Sequence, residues 1–295
     1  MLSQKNKGIV LIISSAFFFA LMNMMVRFAG DLPSIEKSFF RNFVAMFFAI
    51  IALKRSKTPI QVPKGSWKPL LLRSIFGTLG ILCNFYAIDH LMLADASILN
   101  KLSPFFAILF SFFLLKEKVH PFAALCVFTA FIGSLFVIKP GLGMFTDTFP
   151  AFIGLLGGLC AGIAYTYVRI LGTRGVKGPF IVFFFSSFSC LVTLPYLLLH
   201  FHPMSLGQFG CLMLAGLFAS GGQFTITAAY TCAPARDISI YDYSQILFST
   251  LLGFFFLDQI PDYLSFIGYG IIILASVAMF IFNQRKSPEE QESRS

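Results

Sequence analysis

Apolar residues in this chain come in long runs rather than in stripes. Ten such runs are separated by short polar connectors: roughly Gly8–Phe28, Ser34–Leu53, Trp67–Ile88, Ala94–Leu115, Pro121–Ile138, Phe149–Ile170, Pro179–Leu199, Leu206–Tyr230, Asp237–Leu257 and Asp262–Phe282. Each is close to the ~20 residues that an α-helix needs to cross a bilayer. Proline marks many of the starts, at Pro33, Pro69, Pro121, Pro150, Pro179 and Pro261. It is favoured in a first helical turn because the N–H it lacks has no partner there. The longest connector is the Lys/Pro-rich stretch Lys54–Ser66, and the polar end from Asn283 to Ser295 reads as a disordered tail. The first run lacks a convincing cleavage site, so it reads as an uncleaved first span.

The composition agrees. Of 295 residues, 57% are hydrophobic and only 12% charged. Soluble domains run at about 45–50% and about 25%. These values exclude a soluble globular domain, a disordered chain, a collagen and a disulfide scaffold. Ten spans use about 200 residues, so no separate soluble domain fits. Cys83, Cys126, Cys160, Cys190, Cys211 and Cys232 form no CxxC pair and read as small core residues.

The net charge of +9 is a topology signal rather than a nucleic-acid one. With the N-terminal end inside, seventeen of the 22 lysines and arginines, Arg73 and Arg169 among them, fall at cytoplasmic ends. Three (Arg27, Lys37 and Lys139) fall at outer ends, and Arg41 and Lys101 lie within spans. That asymmetry predicts cytoplasmic N- and C-terminal ends.

The halves repeat. Ala94 through Glu117 aligns with Ala235 through Asp258 at an offset of 141, and Val26-Arg27 with Gly30 matches Val168-Arg169 with Gly172 at 142. Each half holds five spans, an odd number, so the second half is inverted relative to the first. This is a recurring transporter architecture. The predicted fold is therefore an all-α integral membrane protein of ten transmembrane helices in two inverted five-helix repeats. Residues 1–142 form the first repeat, 143–283 the second and 284–295 the disordered cytoplasmic tail.

Charges at membrane depth are the sharpest candidates for chemistry, since one at the bilayer centre costs about 2.5–3.5 kcal/mol. They are Arg41, Lys101, Asp242 and, nearer the outer surface, Asp95. Lys101 and Asp242 are repeat mates. Measured along straight helices at 1.5 Å per residue, Lys101 lies about 10 Å from the outer end and Asp242 about 8 Å from the inner end. In a core of about 30 Å that leaves roughly 12 Å of height between them. Opposite ends of one cavity is the expectation, ahead of a tight pair. Lys101 or Arg41 then meets an anionic group of a substrate, or both merely pair with nearby helices. Asp242 is the only deep carboxylate on which proton coupling could rest.

Polar stripes at helical spacing, Arg73, Gly77, Gly80 and Asn84 in the third span and Gly216, Ser220, Gln223 and Thr227 in the eighth, must meet protein or water. Candidate substrate ligands are Arg41, Asn84, Tyr86, Asn100, Lys101, Gln223, Tyr241 and Asp242, with interhelical glue as the alternative role of the polar ones. Arg27 and Arg169 either gate the two mouths or, the favoured alternative, snorkel to the headgroups. The Gly154, Gly158, Gly162 stripe reads as close packing, and Pro104 as a kink. His200 and His202 are two ligands at most, so no metal site is predicted, and no cofactor. No GxxxxGK[ST], HExxH or GxSxG occurs, which argues against ATP-driven pumping by this chain alone.

The run Arg73-Ser-Ile-Phe-Gly77, Asn84-Phe-Tyr86-Ala, Leu93-Ala-Asp95-Ala-Ser97, Ser103-Pro104-Phe105 and Leu114-Leu-Lys116-Glu117-Lys118, together with Arg41 eight residues after Pro33, resembles the EamA-type branch of the drug/metabolite transporter superfamily. The resemblance spans about residues 8–282. The second half departs from the pattern, with Gln245 where Pro104 would recur and Asp258 in place of Glu. The resemblance implies ten helices around a central cavity lined mainly by helices 1, 3, 4, 6, 8 and 9, and alternating-access transport of a small metabolite. The expected activity is therefore secondary transport, not enzymology, of a small polar solute such as an amino acid or organic acid, leaning toward an anionic or zwitterionic one. The expected partners are that solute and the lipid bilayer, with no nucleic acid; the oligomeric state is open. The expected location is the cytoplasmic membrane of a bacterium. A membrane-embedded enzyme and a structural or assembly protein are the competing classes.

Overall fold

A computed structural model describes residues 4–55, 62–90, 99–138, 148–257 and 261–292. Asp95, Lys139 and Asp258 lie outside them. The described residues are helical almost throughout: α1 (Gln4–Phe28), α2 (Ser34–Arg55), α3 (Trp67–His90), α4 (Ser103–Leu115), α5 (Pro121–Ile138), α6 (Thr148–Thr173), α7 (Gly178–Leu199), α8 (Leu206–Cys232), α9 (Ser244–Leu257) and α10 (Tyr263–Glu292). Six, namely α1, α3, α6, α7, α8 and α10, are long and apolar enough to cross a membrane. The other four fall short for separate reasons. α2 carries Glu36, Lys37, Arg41, Lys54 and Arg55, α5 is short, and α4 and α9 have only 13 and 14 residues.

The breaks are the main departure from ten plain spans. Leu99 and Asn100 are helical, Lys101 and Leu102 form a turn, and α4 restarts at Ser103 with Pro104 in its first turn. The chain before α9 is a four-residue helical turn (Ala235–Ile238) followed by a 3-10 stretch (Ser239–Tyr243). At the other end α10 continues to Glu292, so the segment expected to be disordered from residue 284 is helical that far. Most of its residues (Gln, Arg, Lys and Glu) are good helix formers, and they carry the helix nucleated by the apolar span past Pro288.

α1 packs on α8, α3 on α6, α2 on α7 and α5 on α10, while α4 lies against α6 and α9 against α1. α6 also packs directly on α8; α1 and α3 have no comparable contact among the described residues. The glycine stripe of α6 makes its close packing possible. A Cβ on Gly158 would stand 2.4 Å from the carbonyl oxygen of Leu99, so only glycine lets α6 approach the broken segment this closely. Side-chain hydroxyls tie the interior: Ser15 donates to the Gly222 carbonyl at 3.0 Å, and Thr78 and Ser189 share a 2.5 Å bond. The start of α8 is fixed by a capping box between Ser205 and Gln208, whose Nε2 also donates to the Ala29 carbonyl at 3.2 Å. That bond joins the ends of α1 and α8.

Candidate functional site

The two breaks face each other. Lys101 Nζ lies 3.0 Å from Asp242 Oδ2, 3.2 Å from the Asp242 carbonyl and 2.7 Å from Gln245 Oε1. Tyr243 closes the contact from the other side, its hydroxyl donating to the Lys101 carbonyl at 2.9 Å. Lys101 is 6% exposed and Asp242 8%. The expected separation to opposite ends of a cavity is therefore wrong: the repeat mates form a tight ion pair. The straight-helix arithmetic failed because neither helix is straight here. The 3-10 stretch advances about 2.0 Å per residue instead of 1.5 Å, and a flexible four-carbon stem carries the ammonium across the remaining gap. An ammonium has three donors, and all three of Lys101 are taken. In this conformation it has none left for a substrate.

Arg41 is different. It is 9% exposed; its Nε sits 3.3 Å from Met22 Sδ and its guanidinium 5.8 Å from the ring centre of Phe19. Its Nη1 is buried with no hydrogen-bond partner. Sequence reasoning missed its companion. Arg73, counted above with the cytoplasmic positives, is 2% exposed, with its guanidinium 4.0 Å over Phe185 and both Nε and Nη1 unpartnered. The two arginines and Tyr165 lie within electrostatic reach of one another, and Tyr165 within reach of Asp242. Tyr165 stacks on buried Tyr230 at 4.9 Å, and the Tyr230 hydroxyl meets Ser239 at 3.2 Å. The signal for Arg73 was its place at the head of the Arg73, Gly77, Gly80, Asn84 stripe.

The other candidates are dispersed. Gln223 is buried and donates to Thr227 at 3.3 Å. Asn84 and Asn100 are half-buried, with no side-chain hydrogen bond among the described residues. Tyr86 stacks on His90 at 4.0 Å and meets Phe149 edge-on. Tyr241 lines an apolar cleft of about 350 Å³ with residues of α1, α9 and α10, and its hydroxyl is buried with no hydrogen-bond partner. Arg169 does not snorkel: its Nε lies 3.3 Å from Glu117 Oε1 and its Nη1 donates to the Thr231 carbonyl at 3.1 Å, at the α6–α8 contact. Arg27 is exposed. His202 is a structural ligand, its backbone N–H and Nδ1 reaching buried Glu36 Oε1 at 2.8 and 3.1 Å. No cluster of three or more potential metal ligands occurs among the described residues.

Interrupted helical segments joined by a buried charge pair, inside a bundle of membrane-length helices, make this a multi-span membrane protein. The EamA-like transporter family model matches this chain twice, over residues 6–139 and 148–281, and the chain belongs to that family, in the drug/metabolite transporter superfamily. It is 32% identical to the pseudopaline exporter of Pseudomonas aeruginosa over 276 residues, covering 93% of this chain and 96% of that one. It is 28% identical to human solute carrier family 35 member G1 over 282 residues (91% and 77% covered). It is 25% identical to the riboflavin transporter of Brucella anthropi (88% and 93% covered). A solved crystal structure of a 16% identical chain superposes with a TM-score of 0.78, covering 95% of this chain and 98% of that one, which bears on the fold alone.

Proposed function

We propose that the protein is a secondary carrier that moves a small anionic or zwitterionic metabolite by alternating access. Its two inverted five-helix repeats meet at the Lys101–Asp242 pair. The observation that carries this reading is a contact between residues 141 apart. Residues related by a two-fold axis can touch only on that axis, and these touch where both helices break. The packing supports the same symmetry. Exchanging each helix with its mate five places on turns α1–α8 into α6–α3 and α4–α6 into α9–α1, all of them observed contacts. The exception is informative. α6–α8 is closed and tied by Arg169, while its mate α1–α3 has no comparable contact among the described residues and Arg27 is exposed. With the N-terminal end cytoplasmic, the closed seam is the inner one and the conformation faces outward. Arg169 and Arg27 are then gates used in alternation, and Lys101, Asp242 and Gln245 form the fulcrum.

The relatives guide the choice of solute. Pseudopaline export belongs to the strongest likeness given above, riboflavin transport to a weaker one. Protein reconstituted into liposomes is assayed for pseudopaline, riboflavin, amino-acid and organic-acid flux, beside Lys101→Ala and Asp242→Asn. Flux of one solute class that falls at least about tenfold in both variants is expected. Flux unchanged in both would remove the ion pair from the mechanism. Flux of none of these solutes, from protein that melts cooperatively, would count against the carrier reading for these classes.

A further inference from the structure

Two buried arginines with no carboxylate beside them are an unusual object at membrane depth. We infer that Arg41 and Arg73, with the Tyr165 hydroxyl, form an oxyanion site for a carboxylate or phosphate group of the transported molecule. The inference rests on the carrier reading and deepens it. Three observations carry it. First, Arg41 and Arg73 are 9% and 2% exposed, yet neither is in an ion pair among the described residues. The other cation described within the spans is paired, Lys101 with Asp242, and so is Arg169 near the inner mouth, with Glu117. A buried charge without a partner is held at a cost that a ligand's charge removes. Second, three of their N–H-bearing nitrogens (Arg41 Nη1, Arg73 Nε and Arg73 Nη1) are buried and unpartnered. A guanidinium presents its donors as a fixed fork that matches a carboxylate or phosphate.

Third, the backbone makes room for this arrangement. A Cβ on Gly77 would fall 2.0 Å from Arg73 Nη1 and 2.8 Å from the Phe185 ring. The guanidinium therefore lies beside position 77, a turn (about 5.4 Å) further along α3 than its own Cα. Along α3 that is away from the membrane surface and toward the middle of the protein. Arg41 comes from the opposite end, eight residues into α2. The two arginines thus enter from opposite ends of the bundle and lie within electrostatic reach of each other and of Tyr165. The ion pair occupies Lys101 fully, so the anion falls to the arginines.

The test uses melting temperatures of the full chain in detergent. The probes are succinate, citrate and inorganic phosphate, with dimethyl succinate and sodium chloride of matched ionic strength as uncharged and ionic controls. A saturable rise with succinate and citrate, or with phosphate, and none with either control, is expected; which anion acts names carboxylate or phosphate as the group. Arg41→Gln and Arg73→Gln should each weaken the apparent affinity about tenfold or more. Arg73→Leu separates binding from folding. If the arginine is a structural cation held by Phe185, its loss lowers the ligand-free melting temperature. If it is held for a ligand, the ligand-free temperature stays level or rises while the anion response disappears. An anion response equal in wild type and both Gln variants would overturn the site, as would no response to any anion or a lowered ligand-free melting temperature in Arg73→Leu. Failure here and failure of the carrier reading are distinguishable. Liposome flux of a neutral solute that ignores both arginines keeps the carrier and loses the site; anion binding with no flux of any solute does the reverse.

Discussion

The Lys101–Asp242 node and the Arg41–Arg73 pair are both buried charge clusters deep in the bundle, and they solve the same electrostatic problem in opposite ways. In the first, every donor of the cation meets an acceptor: a carboxylate oxygen, a carbonyl and an amide, all within 3.2 Å. In the second, the cations lean on aromatic rings and a thioether, and three buried nitrogens meet nothing. Cation–π contact recovers only about 0.5–2 kcal/mol, less than a desolvated guanidinium loses. The satisfied cluster sits where two broken helices interlock, so its charges act on the protein itself. The unsatisfied one has an interaction to give, and its natural recipient is a ligand.

Removing one side of the satisfied cluster should have the largest effect. Asp242→Ala leaves a buried ammonium with two neutral acceptors. The expected loss is about 3–5 kcal/mol, the cost of orphaning one partner of a buried pair, read as a drop in chemical denaturation midpoint in detergent. Adding Lys101→Met should recover most of it, because the pair is then absent rather than broken. A double variant as unstable as the single one would mean the node's worth lies in something other than charge pairing. Gln245→Leu, which takes away the shortest of the three bonds at 2.7 Å, should cost about 1.5–3 kcal/mol as the loss of one hydrogen bond to a charged group.

Gly77→Ala tests the unsatisfied cluster through its shape. The added methyl overlaps Arg73 Nη1 and the Phe185 ring, an overpacking that typically costs about 1–3 kcal/mol. It should also push the guanidinium out of register. Binding of succinate, citrate or phosphate should then fall, while the Asp242→Ala penalty measured in that background stays unchanged, since among the described residues no hydrogen bond or ion pair links the arginines to Lys101 or Asp242. If the penalty changed instead, the two clusters would be one coupled network.

The difference between the clusters was only half legible in the residue order. The ten apolar runs, the 141-residue offset and the depth of Lys101, Asp242 and Arg41 can all be read by counting, because a bilayer imposes a length and a price on charge. What could not be read was how the helices deviate from straight rods. Pro104 advertises the break in the fourth segment, but the ninth has Gln245 at the matching place, and the 3-10 stretch Ser239–Tyr243 has no breaker residue inside it. Arg73 was hidden for a related reason. Seven residues into its helix it resembles a headgroup anchor, and only the missing Cβ at Gly77 lets it fold inward. Arg169 looked like a snorkelling residue because Glu117, which holds it, belongs to a distant connector whose C-capping residue Lys116 takes up φ 55° to turn the chain.

Arg41→Leu should produce the smallest change in stability and is for that reason the most discriminating. The substitution gives up a contact with Met22 Sδ and a ring contact at 5.8 Å, together on the order of 1 kcal/mol. It also removes a buried unpartnered donor, which costs about 1–3 kcal/mol to keep. The second term equals or exceeds the first, so the ligand-free denaturation midpoint should stay level or move toward greater stability by up to about 2 kcal/mol. Asp242→Ala and Arg41→Leu each delete one charge at membrane depth, so an account based on charge alone predicts similar consequences. The satisfied and unsatisfied environments instead predict a gap of about 3 kcal/mol or more between them. Denaturation of the two variants side by side measures that gap, and equal losses would show that Arg41 has a structural partner after all.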